Sequence, residues 1–177
     1  MTQSEGGTAI QPAQTVIFSI VVHPELIPDG DVEPLMEALA HLGPVLDDWG
    51  LVMARYQQKN FDDKGATFGY PWEELAVDTV TQKQRLGYPD QDLVRKGRIA
   101  SEIGETILLT PDSVTTGINI DEAPEAYFHQ FGRGVPQRIL VALVDAEIDE
   151  MYEILRRYIA EATGGSLQGV EIVSVVQ

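Results

Sequence analysis

From Val32 to Tyr56, large apolar residues recur every three or four positions: Leu35, Leu39, Leu42, Leu46, Trp49, Met53 and Tyr56. That spacing lays an apolar stripe along a helix, and a stripe of this length needs another layer to cover it. Gly43–Pro44 interrupts it, because Pro44 has no amide donor and its ring crowds the preceding turn. Two arrangements satisfy the break. Either Pro44 sits in the first turn of a second helix, with Asp47 and Asp48 near its start, or one long helix is kinked there.

The covering layer is read from β-branched runs. Thr15–Val22 (TVIFSIVV) lies between Pro12 and Pro24 and predicts a strand, with Asp31 placed to cap the helix that follows. ETILLTPDSVTTGINI predicts a hairpin: Ile107–Thr110, a turn at Pro111–Asp112, then Val114–Ile120. Ile139–Val144 and Val170–Val176 predict two more strands. Between those two, Asp145 is placed to cap a helix with Ile148, Tyr152, Leu155 and Ile159 on one face, ending at Gly164–Gly165.

The remaining segments read as short pieces. Asn60–Tyr70 is a glycine-containing loop, and PWEEL a helical turn with Pro71 first. Val77–Leu86 is open between helix and loop. Asp90–Ile103 is a short helix weakened by Gly97, and Ala123–Gln130 a helix or turn. Strands and helices do not alternate strictly, so the class is α+β: a small antiparallel sheet, a long helix packed on it and a second helix near the C-terminus. Residues 1–13, small and polar, read as a flexible N-terminal arm, leaving 14–177 as a single domain.

The chain has 177 residues, enough for one hydrophobic core, and no cysteine, so neither disulfides nor thiolate metal sites can form. No stretch has the composition of a signal peptide or the length of a membrane span, which predicts a soluble protein made in the cytoplasm, with no membrane partner. Net charge is −16, which disfavours general binding to phosphate backbones. The charge is uneven. Residues 1–60 carry eight acids against two bases, 61–100 seven against six, and 101–177 thirteen against four. Lys83, Arg85, Arg95, Lys96 and Arg98 thus form a relatively basic island. Read one way it is a solvated face with ordinary ion pairs; read the other, it meets an acidic patch on a second copy.

No catalytic pattern stands out in the chain. His23, His41 and His129 stand far apart, with no HxxxH spacing for a metal. Glu73–Glu74 and Asp62–Asp63 are adjacent carboxylates, but among 28 acids such pairs arise by chance. There is no GxSxG, and Ser101 and Ser113 have no nearby general base. The glycines of HQFGRG do not join a strand directly to a helix, so they make no phosphate cradle. The expectation is a chain that is not an enzyme and takes no cofactor or metal. The alternative from another class is a hydrolase whose site draws His129 together with dispersed Asp and Glu residues.

One ordered series remains: FDDKGATFGYPWEELAVDTVTQK, LVRKGRIASEI, AYFHQFG and VPQRILVAL. It resembles the phage virion morphogenesis family, the tail-completion proteins of Mu-like phages and prophages. The matching positions are Phe61, Gly65, Trp72, Thr79 and Lys83, then Leu93 with Gly97–Arg98, then Tyr127 with His129–Gln130–Phe131–Gly132, and finally Pro136 with Arg138. The likeness runs from about Leu35 to Ile159. It departs where the family's Tyr-Ala is Tyr127–Phe128, and where the aromatic after the arginine is Ile139–Leu140. The strands at Thr15–Val22 and after Gly164 lie outside the common pattern.

The resemblance implies a structural virion protein, a tail-completion or tail-terminator subunit at the head–tail junction, or another neck or minor tail protein of similar fold. It implies a homo-oligomeric ring, expected to be a hexamer, whose neighbours are tail tube or sheath proteins and head-completion or connector proteins. DNA would pass through without specific binding, repelled by an acidic lumen. Assembly would take place in the host cytoplasm and the product reside in the virion. Candidate assembly residues are Trp72, Arg98, Tyr127, His129, Gln130, Phe131, Gly132, Pro136 and Arg138. Chemically, Tyr127, Phe128 and Phe131 offer apolar faces, Gly132 and Gly134 allow close approach, and Arg138 can hold a carboxylate.

Overall fold

The computed structural model describes residues 16–27, 32–94 and 96–176. Its order is β1 (Val16–Val22), a 3-10 turn, α1 (Glu33–Ala40), α2 (Gly43–Asp62), α3 (Val77–Arg85) and α4 (Arg98–Glu102). Then come β2 (Thr106–Leu109), β3 (Val114–Gly117), α5 (Glu125–Phe131), α6 (Asp145–Ala162) and β4 (Val170–Val176). The class is α+β, with a long helix α2 and a C-terminal helix α6. The expected arm at 1–13 and the expected cap Asp31 lie outside the described residues.

The Gly43–Pro44 break resolves into two helices, with Pro44 in the first turn of α2. α2 then runs through Asp62, past Tyr56 where the apolar recurrence stops, so residues 60–62 are helical rather than loop. The inward stripe continues as buried amides. Gln57 Nε2 donates to Thr116 Oγ1 at 2.6 Å, and Asn60 Nδ2 donates to the Ile139 carbonyl at 2.9 Å. Both amides are buried; Asn60 is met at both ends of its amide, whereas Gln57 is met at Nε2 and its Oε1 has no hydrogen-bond partner.

The strands form two antiparallel two-stranded ribbons instead of one sheet. β1 pairs with β4, from Val16 opposite Val176 to Val22 opposite Val170; β2 pairs with β3, from Thr106 opposite Gly117 to Leu109 opposite Val114. Under the first ribbon, Leu35, Val45, Leu155 and Ile159 form a core with Phe18, Ile20 and Ile172 against it. A second core joins Trp72, Ile99, Ile103, Ala123, Ala126 and Leu140. α2 packs on α6 and reaches both ribbons' neighbourhoods; Trp49 Nε1 donates to the Met151 carbonyl at 2.8 Å.

Several expected elements differ. Ile139–Val144 is no strand. Its backbone groups are met by side chains: the N–H groups of Leu140 and Val141 donate to Gln130 Oε1 at 2.7 and 3.1 Å, and Gln130 Nε2 donates to the Val141 carbonyl at 2.9 Å. A glutamine amide thus stands where a neighbouring strand would. PWEEL is irregular and not a helical turn; the Trp72 N–H is drawn back to the Lys64 carbonyl at 2.7 Å. Among its described residues, Asp90–Ile103 is helical only over α4; Gly97 precedes that helix as its N-cap in the left-handed region instead of weakening its middle. Asp145 lies in the first turn of α6, and Val144 is the N-cap residue.

Candidate functional site

Most residues singled out by the sequence meet in the loops around the second core. α2 ends at Asp62, and the chain reverses through Lys64 and Gly65, both left-handed, at φ +55° and +90°. At Gly65 a Cβ would stand 2.6 Å from Trp72 Cδ1, so only glycine lets the Trp72 ring close over this turn. Trp72 is 8% exposed and meets the Phe61 ring edge-on, with centroids 5.7 Å apart. It is a core residue, packed within its own chain.

Arg138 is also buried, at 4% exposure, so the ion pair it makes is not an ordinary surface one. Its Nη2 lies 3.4 Å from Asp92 Oδ1 and donates to the Glu73 carbonyl at 3.3 Å. Lys64 Nζ reaches the other Asp92 oxygen at 3.2 Å. Leu93, next to Asp92, is left-handed at φ +57° without being glycine. Such backbone persists only where its surroundings fix it; here a buried carboxylate between two cations does so.

Lys83 corrects the reading of a basic surface island. Its buried ammonium donates to the carbonyls of Pro89 at 3.1 Å and Val94 at 3.0 Å, and to that of Gln91, stitching the 89–94 loop to α3. Burial pushes its pKa down, opposed by the nearby charges of Asp92 and Asp90. Arg98 is half-exposed but taken by Glu125, bidentately, at 3.1 and 2.8 Å. Arg95 lies outside the described residues.

α5 carries the central aromatic cluster. Tyr127 packs against Phe131 with centroids 5.0 Å apart and against Phe128 at 5.8 Å, and the Arg133 guanidinium lies 5.0 Å from the Tyr127 ring centre. Gly132 ends α5 in the left-handed region at φ +62°, and Pro136 is exposed. The chain then doubles back, with the Arg138 N–H on the His129 carbonyl at 2.8 Å. Burial first, and the Arg138 charge second, push the His129 pKa down, holding the imidazole neutral. Its Nδ1 is buried without a hydrogen-bond partner.

Tyr127, Gln130 and Phe131 share one further feature: they wall an apolar cleft of about 700 Å³. Its other walls are β1, the first half of α2, β3 with the residues after it, the 141–143 segment, and Met151 and Leu155 of α6. Among the described residues Asp112 is the only charged one lining it. Of the nine residues singled out, Trp72, Arg98, His129, Gly132, Pro136 and Arg138 do not line the cleft; Trp72 and Arg138 are parts of the frame behind it.

Sequence reasoning missed Glu147, which is 1% exposed on the first turn of α6. Burial raises its pKa to about 8, opposed by a hydrogen bond from the Val144 backbone and by the Arg55 charge. The glutamate reaching back to the N-cap amide is half of a capping box, and the Glu at the third helical position was the available signal. Among the described residues, no group of three or more His, Cys, Asp and Glu side chains is placed to hold a metal ion, and no helix is long and apolar enough to cross a membrane. No family model, curated protein or solved structure matches the chain.

Proposed function

We propose that this chain is a structural virion subunit of a tailed phage, a tail-completion or tail-terminator protein that forms a homo-oligomeric ring at the head–tail junction. The observation that carries the reading is the cleft. An apolar hollow of about 700 Å³ walled by Tyr127, Gln130 and Phe131 is a surface that wants a partner, since exposed contiguous apolar area marks interaction sites. The residues of the ordered motif series support it in two ways. Phe61, Gly65, Trp72, Leu93 and Arg138 make a rigid frame of packed rings, a close turn and a buried ion pair. The α5 residues Tyr127, Gln130 and Phe131 then sit on that frame and face the cleft.

In this reading the protein is not an enzyme. His129 serves as a neutral, part-buried element of the frame beside Arg138. The net charge of −16 suits a ring through which DNA passes without adhering. The test is localisation. Tagged chain, added to a tailed-phage assembly reaction lacking its own copy, is imaged by electron microscopy with a gold label against the tag. Label at the head-proximal end of tails supports the proposal; label distributed over other structures, or on none, overturns it.

A further inference from the structure

Two strand edges face the cleft. Val16, Ile17 and Phe18 of β1 line it as successive residues, as do Val114 to Gly117 of β3. In an extended chain, side chains alternate between faces, so a wall built from successive residues is a strand seen edge-on. β1 pairs only with β4 and β3 only with β2, so each has a second edge unpaired among the described residues. An unpaired edge in an apolar hollow is a template for another strand.

The same chain also exposes a strand of matching character. Among the described residues β4 has its own unpaired edge, and Val173, Val175 and Val176 are 39%, 47% and 50% exposed. From Ile172 to Val176 β4 carries no charge, and among the described residues the cleft carries only Asp112. In a chain of net charge −16, approach of a second copy is repulsive wherever acids face each other, so two neutral surfaces are where copies can meet. Because the strand and the cleft are different surfaces, contact between them is head-to-tail, the type that closes into rings.

We infer that the β4 edge of one copy enters the cleft of the next as an added strand, and that this single junction, repeated, builds the ring. The inference rests on the ring reading and names its contact. The test uses two full-length variants. Val173→Glu with Val175→Glu places charge on β4. Gly117→Phe fills the cleft, and it is sterically open, since a Cβ at Gly117 meets nothing within 4 Å. Thr115→Trp is a second cleft-filling variant, at an exposed cleft position, should Gly117→Phe fail to fold.

Circular dichroism establishes folding, and mass photometry reads assembly. Each variant alone is expected to lose the ring, while a 1:1 mixture yields a heterodimer of about twice 19.5 kDa, because one intact strand meets one intact cleft. A folded variant that still forms wild-type rings, or a mixture that yields no heterodimer, overturns the junction and leaves the ring reading standing. Wild type that stays monomeric overturns both. Loss of rings on deleting residues 1–13, with the β4 variant assembling normally, assigns the cleft to that leading segment and overturns the inference as well.

Discussion

Replacing Glu147 by glutamine isolates the cost of a buried carboxyl at the start of α6. Glu147 is 1% exposed, and burial raises its pKa from 4.5 to about 8. Between those values the folded protein keeps a proton that the unfolded chain has released. Stability from this group is therefore complete below pH 4.5, falls as pH rises toward 8, and is lost above it. At about 1.4 kcal/mol per pH unit, the full fall is about 5 kcal/mol, and about 3 kcal/mol of it lies between pH 5 and pH 8. The variant has no proton to lose. Urea unfolding followed by the fluorescence of Trp49 and Trp72, which report on the two cores, measures both proteins across that range. The variant's advantage is expected to grow by about 3 kcal/mol from pH 5 to pH 8. Parallel stability curves would refute the assignment of a buried, proton-holding Glu147.

Other substitutions test the frame. Asn60→Ala strips partners from the Ile139 carbonyl and the Phe68 N–H, and should cost about 2–3 kcal/mol in urea unfolding. Arg138→Ala strips the buried Asp92 carboxylate of its buried partner, leaving it Lys64 and, at longer range, the charge of Lys83; a loss of about 3–5 kcal/mol is expected, read as a fall in Tm. Assembly would suffer through folding rather than through a lost contact between copies. Phe131→Ala removes a cleft wall that is only part-buried, so it should weaken assembly in mass photometry at a cost in Tm smaller than that of Arg138→Ala.

The elements that could be read from the sequence are those whose partners share their own local pattern. The helical recurrence from Leu35 onward, the Pro44 break, the hairpin around Pro111–Asp112 and the strands at both ends all carry local signals. What could not be read depends on distant side chains. ILVALV has the composition of a strand, yet its hydrogen bonds go to Gln130 and Asn60, and no local property of ILVALV reports that. Lys83 reads as a surface cation until the 89–94 loop wraps three carbonyls around it. α2's last turns were legible in principle, because Gln57 and Asn60 fall in phase with Leu46, Trp49 and Met53 as polar residues at inward positions. The candidate site divides the same way. The α5 aromatics and Gln130 do reach the cleft, whereas Trp72 and Arg138 turned inward to hold the loops.

The central claim is that this chain is a building block of a closed ring. The mass distribution of the purified wild-type protein, measured by mass photometry and checked by negative-stain images, tests it most directly. Six copies of a 19.5 kDa chain predict a species of about 117 kDa with a central opening. A single species at 19.5 kDa, unchanged as concentration rises into the tens of micromolar (about the range in which weak interfaces populate), would contradict it.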